Sequence, residues 1–548
     1  MTATAHVDTF ARDRLPPRAL WPELRFDLPE LRYPARLNAA AELLDAQVAN
    51  GRGDAPAIWM PVDGKPVCAT YAQLQHRVDQ IARVLTEDLG LVPGNRVLLR
   101  GPNNAMMAAC WLAVMKAGLV AVGTMPLLRA KELKQVIDRA QISHVLCDAA
   151  LMQEIATCMR PDSEHFCASL RRVVSFNDGA PGSLEDLLKS KRADFRAVDT
   201  AAEDIALIAF TSGTTGVPKG TVHFHRDVLA MCDCFPRSCL KIEADDIVCG
   251  TPPLAFTFGL GGMLAFPLRV GASTVLTEKN TPDSLLATIA QFKASVCFTA
   301  PTFYRQMAEH AQKHDLRSLT RCVSAGEALP DATRQLFKAA TGIELIDGIG
   351  ATEMIHIFIS HTPASVRRGA TGYAIPGYRA KVIDENGRTC PPGVVGRLAV
   401  QGPTGCRYLD DERQTVYVQD GWNVTGDAYS MDADGYFFYA ARADDMIISA
   451  GYNIAGPEVE SSLLMHPAVA ECGVIGAPDA ERGQIVKAFV VLKPGFQAGP
   501  ELARALQDHV KADIAPYKYP RAIEFVSSLP RTETGKLQRF RLRQTAAA

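Results

Sequence analysis

One short loop has the residue types that phosphate chemistry requires. It consists of Thr211, Ser212, Gly213, Thr214, Thr215 and Gly216, and Pro218, Lys219 and Gly220 follow it closely. Glycines let a backbone turn tightly and approach an anion, while hydroxyl and amide groups donate hydrogen bonds to its oxygens. Because Lys219 adds a positive charge at the end of the loop, the sequence predicts a site for a triphosphate.

Two other interpretations of this loop fit less well. A flexible linker of Ser, Thr and Gly is common in proteins, but a linker seldom follows an apolar run such as Ile205 to Phe210. A Walker-type loop needs glycine directly before its lysine, whereas Pro218 precedes Lys219 here. Since the apolar run predicts a buried strand, we expect the loop at a strand end, where open α/β sheets bind ligands.

A second segment, Asp347 to Glu353, offers a hydroxyl on Thr352 and a carboxylate on Glu353 after a predicted strand. A carboxylate repels phosphates unless a hard cation lies between them, so Glu353 predicts Mg²⁺ held jointly with the nucleotide. A glycine-rich turn with an acidic end is also an ordinary structural element, and this segment alone does not distinguish the two.

Three further side chains suit the remaining parts of a nucleotide site. Asp427 follows a tight turn and could accept hydrogen bonds from ribose hydroxyls, and Arg442 could bond the same ribose or a phosphate. Lys536 lies on a polar loop near the C-terminus. Taken singly, these residues also fit an acidic turn, a surface ion pair and a solvated lysine.

Composition restricts the class of protein. The chain has 548 residues, 47% hydrophobic and 22% charged, which is typical of a soluble globular protein with more than one domain. Its net charge of −2 offers no general attraction for nucleic acid or an anionic membrane. The most apolar stretch, Cys110 to Leu128, contains Lys116 and several turn residues, so it predicts a buried helix and strand and no membrane span.

The 14 cysteines are scattered and no secretory signal begins the chain, so we expect reduced thiols and a cytoplasmic protein. Cys232, Cys234 and Cys239 lie near the pair His223 and His225, an arrangement that allows a metal site. No C-x-x-C pair or second cluster completes that site, and helix packing explains the cysteines better. We therefore assign no metal ligands there.

The order of predicted elements indicates an α/β fold. Helical patterns at 37–49, 71–89, 104–117 and 130–140 alternate with apolar strands at 97–99, 119–122 and 144–147, and strands at 295–299, 321–324 and 344–347 continue the series. Such alternation predicts parallel sheets covered by helices. Short strands at 380–383 and 396–401 with turn signals predict a smaller β-rich subdomain, and residues up to about Arg36 predict an irregular arm. We place a large N-terminal domain at 1–443 and a small α+β C-terminal domain at 444–548.

Taken together, the order and spacing of these segments resemble the acyl-adenylate-forming superfamily of acyl-CoA synthetases, peptide-synthetase adenylation domains and luciferases. The resemblance covers nearly the whole chain. Asp347 to Ile357 and Ser324 to Leu329 are most similar to benzoate-type CoA ligases, and His6 to Arg12 resembles the 2-aminobenzoate-CoA ligases. The resemblance implies an acid-thiol ligase that uses ATP, Mg²⁺ and coenzyme A to form an acyl-adenylate and then a thioester.

The resemblance also implies a role for each matching residue. The phosphates would be cradled by Thr211 to Gly216 and Lys219, and Thr352 and Glu353 would contact the α-phosphate and Mg²⁺. Adenine would be bordered by Gly326, Glu327, Ala328, Asp347, Gly348 and Ile349, and the ribose would lie near Asp427 and Arg442. Lys536 would bridge the acid carboxylate and the α-phosphate during adenylation.

Between the two half-reactions, the resemblance implies that the C-terminal domain rotates about Asp444. In the second pose Gly451 and Tyr452 would help to line the tunnel for the pantetheine arm of CoA. Many relatives carry Arg or Lys at the next position, where this chain has Asn453. Because Asn453 is uncharged, the resemblance assigns no cationic contact to this position in the second pose.

By the same resemblance, the acid pocket involves Phe256, Thr257, Phe258, Gly350, His356 and Ile357. Aromatic and branched side chains suit a flat ring. His356 could meet a polar ring substituent such as an ortho amine, and a core histidine with satisfied hydrogen bonds is an equally open interpretation. We expect 2-aminobenzoate (anthranilate) as the first substrate and benzoate as the second, with salicylate, other aryl acids and medium-chain acids as alternatives.

A different function remains as an alternative, namely an adenylation protein that loads an aryl acid onto the thiol of a carrier protein. No carrier domain or attachment motif follows Lys536, which favours free CoA. A non-catalytic ATP sensor fits poorly with a retained Lys536 and hinge. The expected partners are the small molecules alone, without nucleic acid or membrane, and the sequence leaves monomer and homodimer open.

Overall fold

The computed structural model describes residues 3–211, 218–442, 445–449, 452–479, 482–514, 516–531 and 537–547. Its strands are β1 Pro56–Val62, β2 Lys65–Thr70, β3 Arg96–Arg100, β4 Val120–Thr124, β5 His144–Asp148, β6 Arg172–Phe176, β7 Ile205–Thr211, β8 Lys219–Phe224, β9 Ile247–Gly250, β10 Ser273–Val275, β11 Val296–Thr299, β12 Arg321–Ala325, β13 Leu345–Gly350, β14 Ile357–Ser360, β15 Tyr373–Ala374, β16 Arg379–Ile383, β17 Gly396–Gln401, β18 Val418–Gln419, β19 Trp422–Met431, β20 Phe437–Arg442, β21 Ile447–Ser449, β22 Tyr452–Ile454, β23 Val469–Asp479, β24 Gly483–Leu492 and β25 Ala522–Phe525.

The α-helices are α1 Phe10–Asp13, α2 Tyr71–Arg83, α3 Ala105–Lys116, α4 Ala130–Ala140, α5 Met152–Met159, α6 Leu184–Leu188, α7 His225–Phe235, α8 Thr257–Leu260, α9 Phe266–Val270, α10 Pro282–Phe292, α11 Pro301–His310, α12 Asp331–Thr341, α13 Gln414–Tyr417, α14 Gly456–Met465, α15 Pro500–Asp513 and α16 Arg539–Ala547. Wider π-helical turns occur at Ala41–Asp45, Val48–Arg52, Val84–Asp88, Pro236–Leu240 and Gly261–Ala265.

Two large sheets form the N-terminal part of the molecule. A six-stranded sheet has the order β6-β5-β3-β4-β7-β8, and a nine-stranded sheet has the order β15-β14-β13-β12-β11-β9-β10-β1-β2. Neighbouring strands from β6 to β7 are parallel, as are β9 to β13, while β8 returns antiparallel to β7. The predicted α/β class is therefore confirmed.

Local sequence explains where the central helices begin. The side chain of Asn104 accepts a hydrogen bond from the Met107 amide and caps α3, and Thr70 and Gln73 form a capping box at the start of α2. Almost every residue of α3 is buried, and one hydrophobic core contains α3 and α7 together with strands of both large sheets. The two large sheets are therefore packed together through these helices.

The later elements form smaller sheets. A five-stranded antiparallel sheet contains β16 to β20, which agrees with the predicted β-rich subdomain. After it, β23, β24 and β25 form a three-stranded sheet covered by α14 and α16. The N-terminal arm contains the short helix α1 and is partly buried, because the Asp8 carboxylate pairs with Arg96 of β3. The sequence alone did not indicate that the arm docks in this way.

Candidate nucleotide and acid site

Two motifs predicted to border a nucleotide leave adjacent strand ends. In the parallel pair β12–β13, Ser324 lies opposite Asp347 and Ala325 lies opposite Gly348. Gly326 has φ +91, a conformation that favours glycine, and this lets the chain turn directly after β12. Gly326, Ala328 and Gly350 are exposed at these strand ends, and Glu327 and Ile349 are half-buried, so together they form an accessible rim where a nucleotide could bind.

Asp347 is buried below this rim and is held by its backbone. Its amide donates to Nε2 of His361 at 3.1 Å, and its carbonyl accepts from the Ser360 hydroxyl at 2.6 Å. The His361 Nδ1 lies 2.9 Å from the Thr362 carbonyl, which assigns the ring proton to Nδ1. Burial raises the pKa of the Asp347 carboxyl to about 8, so much of it carries a proton at neutral pH.

Glu353 lies in a single 3₁₀ turn, Thr352–Met354, after β13. Its Oε1 accepts hydrogen bonds from the hydroxyl of Tyr408 and from Nζ of Lys219, the latter at 3.4 Å. Lys219 also donates to the Tyr408 hydroxyl at 2.8 Å and lies 4.8 Å from the centre of its ring. The structure thus brings the two predicted phosphate-site residues together around a tyrosine that the sequence did not single out.

The backbone beside Glu353 is held by a second chain of contacts. Nε2 of His223 lies 2.7 Å from the Thr352 carbonyl, and its Nδ1 lies 3.8 Å from the Asp227 carboxylate. Asp227 pairs with Arg407, and neither side chain is exposed. Burial by itself would raise the pKa of the Asp227 carboxyl, but the charge of the Arg407 guanidinium outweighs that effect and holds the pKa below its usual value. Thr352 is thus connected to Arg407 through His223 and Asp227, while the next residue, Glu353, bonds Tyr408 directly.

Strand β8 explains why these contacts converge. Lys219 and His223 are four residues apart in a strand, so their side chains project from the same face. The segment 407–409 runs beside this strand, with the Val222 amide donating to the Arg407 carbonyl at 2.8 Å and the Leu409 amide donating to the Gly220 carbonyl at 2.8 Å. Tyr408 and Lys219 are 189 residues apart in the chain, and no local sequence signal predicts their contact.

The donor set around Glu353 fits a cation that arrives with a nucleotide. Within the described ranges, no group of three or more His, Cys, Asp or Glu side chains could hold a metal ion by itself. Lys219 and Tyr408 both bond Oε1 of Glu353, and no hydrogen bond to Oε2 occurs among the described residues. One free carboxylate oxygen suits Mg²⁺, which commonly takes one or two protein carboxylates and completes its shell with phosphates and water.

The two predicted ribose residues are neighbours across an antiparallel pair. Asp427 of β19 lies opposite Arg442 of β20, and the Asp427 amide donates a hydrogen bond to Oγ1 of Thr425 at 3.3 Å. Asp427 is buried. The backbone register thus brings these residues together, while the side chain of Arg442 lies outside the described part of the structure.

The predicted acid-pocket residues surround His356. This histidine is buried, and its ring centre lies 5.6 Å from that of Phe258, 6.0 Å from that of Phe235 and 4.5 Å from that of Phe266. Its Nε2 lies 3.4 Å from the Phe258 carbonyl, and its Nδ1 is buried without a hydrogen-bond partner among the described residues. Burial lowers the pKa of His356 to about 3, which leaves the ring neutral at physiological pH.

Glycines and a short helix place the other pocket candidates next to that ring. Phe256 precedes α8, whose first residue is the buried Thr257, and Phe258 is half-buried. Gly350 pairs with Ile357 across β13 and β14, and a Cβ on Gly350 would come within 2.7 Å of the His356 carbonyl oxygen. A side chain at position 350 would therefore force the backbone to shift in the turn that joins the nucleotide motif, Asp347 to Glu353, to the aromatic residues around His356.

Several predicted site residues lie outside the described part of the chain. They are Ser212, Gly213, Thr214, Thr215, Gly216, Asp444, Gly451 and Lys536, and the side chains of Tyr452 and Asn453 also lie outside it. Thr211 ends β7 and pairs with Lys219 across the strands that flank the loop. In the C-terminal part, Arg531 lies five residues before Lys536 and approaches Glu327 to 3.4 Å.

The alternative metal cluster finds no support in these contacts. Cys232 and Cys234 are buried on α7 and Cys239 in the following turn, while His223 bonds the Thr352 carbonyl. His225 Nδ1 accepts a hydrogen bond from the Ala39 amide at 3.1 Å. These thiols pack in the core.

Among the described residues, no helix has the length and apolar character needed to cross a membrane.

Comparison with known proteins adds to this geometry. The AMP-binding enzyme family matches residues 44–407, and the AMP-binding enzyme C-terminal domain matches residues 458–536. The benzoate-CoA ligase of Thauera aromatica is 36% identical over 524 residues, which cover 94% of this chain and 97% of that ligase. The structure of the anthranilate CoA ligase AuaEII in complex with anthranoyl-AMP is similar with a TM-score of 0.88 at 34% identity, over 95% of this chain and 99% of that one. A benzoate CoA ligase from Burkholderia xenovorans LB400 is similar with a TM-score of 0.84 at 32% identity, over 92% and 99% of the two chains.

Proposed function

The chain belongs to the AMP-binding enzyme family, and we propose that it is an ATP-dependent ligase that joins an aromatic carboxylic acid to coenzyme A. The observation that supports this proposal is that the predicted phosphate site around Glu353 lies next to the aromatic residues around His356. The turn that bears Thr352 and Glu353 continues directly into His356, whose ring packs against Phe258 and two further phenylalanines. A polar nucleotide cleft thus adjoins an aromatic environment suited to a flat ring.

In the proposed first half-reaction, a carboxylate oxygen of the acid attacks the α-phosphorus of ATP and diphosphate leaves. Both reactants are anionic, so positioning and electrostatic stabilisation dominate the barrier. Lys219 and the loop from Thr211 to Gly216 would hold the phosphates, Thr352 would contact the α-phosphate, and Lys536 would bridge the two reacting groups. Mg²⁺, held by Glu353 and the nucleotide, would neutralise phosphate charge.

The rest of the nucleotide would lie along the rim of the cleft. Adenine would lie among Gly326 to Ala328 and Asp347 to Ile349, and Asp427 and Arg442 would bond the ribose. A buried, largely protonated Asp347 suits a neutral base better than a charged one, because no opposite charge is needed to offset its desolvation.

In the second half-reaction, the CoA thiol would attack the acyl carbonyl of the adenylate and expel AMP. We propose that residues 444–548 form a mobile domain that turns about Asp444 between the two steps, as the resemblance to the acyl-adenylate-forming superfamily implies. Lys536 would then leave, and Gly451 and Tyr452 would help to line the pantetheine tunnel. We further propose that the enzyme is cytoplasmic and that its partners are these small molecules.

Among aromatic acids, we propose 2-aminobenzoate first and benzoate second. The support is chemical as well as comparative: Nδ1 of the neutral His356 lacks a partner among the described residues and could accept a hydrogen bond from an ortho amine. An anthranilate ligase and a benzoate ligase are both close structural relatives. The pocket would comprise Phe256, Thr257, Phe258, Gly350, His356 and Ile357.

Thioester formation tests the proposal. The purified chain would be offered ATP, CoA and a panel of benzoate, 2-aminobenzoate, salicylate, phenylacetate and medium-chain fatty acids, with the thioester and AMP measured separately. We expect the benzoate-class acids to be preferred. A preference for fatty acids would refute the pocket assignment, and transfer to a carrier-protein thiol but not to CoA would favour the alternative function.

A further inference from the structure

We infer that Tyr408 is a positioning residue that holds Glu353 with one carboxylate oxygen engaged and the other turned toward the cation that accompanies ATP. The inference rests on the proposed use of ATP. It assigns to Tyr408 a role in nucleotide binding that depends on the metal ion and is separate from recognition of the acid.

The hydroxyl of Tyr408 has the geometry for this role. It accepts a hydrogen bond from Nζ of Lys219 at 2.8 Å and donates its own proton to Oε1 of Glu353. Lys219 and Glu353 carry opposite charges and already pair at 3.4 Å, so without the hydroxyl between them this ion pair could shorten. The Tyr408 hydroxyl is therefore a neutral hydrogen-bond partner for both Lys219 and Glu353. If the nucleotide binds one of these two residues, the other keeps its bond to Tyr408.

Tyr408 is fixed in place more firmly than a surface tyrosine. Only 1% of the residue is exposed, and its amide donates to Oε1 of Gln414 at 2.9 Å. The amide nitrogen of Gln414 donates in turn to the carbonyls of Cys406 at 3.1 Å and Leu20 at 2.8 Å. The ring of Tyr417 stands edge-on at 5.9 Å. A hydroxyl held in this way can select one rotamer of the carboxylate that it bonds.

The two carboxylate oxygens of Glu353 therefore have different roles. Oε1 is occupied by Tyr408 and Lys219, whereas Oε2 has no hydrogen bond among the described residues. When ATP arrives with its cation, Lys219 is free to move to the phosphates while Tyr408 keeps its bond to Oε1. Removal of the hydroxyl would allow Glu353 to pair with Lys219 through either oxygen, and both groups would then be withheld from the ligand.

The test is equilibrium binding of ATP in the absence of any acid, so that no turnover occurs. Binding is measured by calorimetry with excess Mg²⁺ and again with EDTA, for the wild type, Tyr408→Phe, Glu353→Gln and the double variant. We expect Mg²⁺ to strengthen binding in the wild type, and Tyr408→Phe to reduce that gain about tenfold, the effect of a lost hydrogen bond to a charged group. Glu353→Gln should reduce it similarly, and the double variant should lose nothing more.

Tyr417→Phe serves as the matched control, because it removes a hydroxyl from the adjacent ring and leaves Tyr408 intact. It should retain the full Mg²⁺-dependent gain. If Tyr408→Phe weakens binding equally with and without Mg²⁺, or keeps the gain within about twofold, the residue is only structural and the inference is wrong. A wild type that binds no ATP under either condition would overturn the proposed function as well.

Discussion

Arg531 forms an ion pair with Glu327, 3.4 Å away and 204 residues earlier in the chain. A second nitrogen of the same guanidinium lies 2.8 Å from the carboxylate of Glu471 on β23. Glu327 also accepts a hydrogen bond from the Thr302 hydroxyl at 2.9 Å. One arginine thus connects the motif at the rim of the nucleotide cleft to the C-terminal sheet, in the segment that leads to Lys536.

From this contact we predict that Arg531→Gln slows adenylate formation by up to about fivefold, since a partly exposed ion pair contributes up to about 1 kcal/mol. The reason is that the variant loosens the segment before Lys536 from the nucleotide cleft. Conversion of preformed acyl-adenylate to thioester should change little. ATP–diphosphate exchange and single-turnover thioester formation measure the two steps separately.

Arg539→Gln is the appropriate control for that experiment. Arg539 pairs with Glu460 at 2.6 Å, and both residues belong to the C-terminal elements, so no contact with the cleft is lost. If Arg539→Gln slows adenylation as much as Arg531→Gln does, general weakening of the C-terminal sheet is responsible and the bridging role is refuted.

A prediction for Lys536 follows from its proposed place between the acid carboxylate and the α-phosphate. Lys536→Ala should abolish acid-dependent ATP–diphosphate exchange while preformed acyl-adenylate is still converted to thioester. The physical reason is that only the first half-reaction brings two anions together, and the lysine charge is needed there. Equal loss of both half-reactions would contradict a domain rotation that removes Lys536 from the site.

The hinge prediction concerns the backbone. Asp444→Pro fixes φ near −65° and removes an amide donor, so it should hinder rotation of the C-terminal domain. We expect ATP–diphosphate exchange to persist and overall thioester formation to fall by at least about tenfold. The matched change Asp444→Ala removes the same carboxylate but leaves φ free, and it should affect both steps much less. Normal turnover of Asp444→Pro would exclude Asp444 as the pivot.

Much of the fold followed from local sequence. The pattern at 130–140 predicted α4 at its observed bounds, and the apolar run from Ile205 predicted β7 within one residue. Local periodicity carries this information because it reports which face of an element is buried. The hairpin of β1 and β2 was not predicted, since β2 is largely exposed and has little apolar alternation.

The site was predictable in part for a similar reason. Motifs at strand ends, such as Asp347 to Glu353, can be recognised because glycine and polar residues follow an apolar strand. Tyr408 and His223 could not be found in this way. Their roles depend on the segment 407–409 lying beside β8, a long-range pairing that no local pattern encodes. The sequence allowed a metal site at the H-x-H pair without assigning ligands to it, and only the fold shows that His223 contacts the Thr352 carbonyl.

Asp347 predicts a dependence of stability on pH. Its pKa is raised by burial from 3.8 to about 8, so the unfolded chain loses this proton at much lower pH than the folded protein does. The group therefore supports folding most below pH 4, and this contribution falls by roughly 1.4 kcal/mol per pH unit until the folded pKa is passed. Asn at this position does not titrate. The thermal midpoint of Asp347→Asn should rise relative to wild type between pH 5 and pH 8, and an unchanged difference would contradict the buried, protonated state.

The most discriminating prediction concerns selection of the acid by His356. Replacement by Phe keeps an aromatic ring among Phe235, Phe258 and Phe266 but removes both nitrogens. If Nδ1 accepts a hydrogen bond from an ortho amine, kcat/KM for 2-aminobenzoate should fall about tenfold relative to benzoate, the usual range for one such contact. The ratio of the two values is the readout, because loss of folded protein lowers both equally.

Two further measurements make this test specific. Phe266→Leu alters the packing around the same ring without removing a polar atom, so it should lower both kcat/KM values by the same factor. Because burial lowers the pKa of His356 to about 3, the wild-type ratio should stay constant from about pH 6 to pH 9, where the ring remains neutral. Equal losses for the two acids in His356→Phe would instead establish His356 as a packing residue, and the ortho substituent would have to be recognised elsewhere in the pocket.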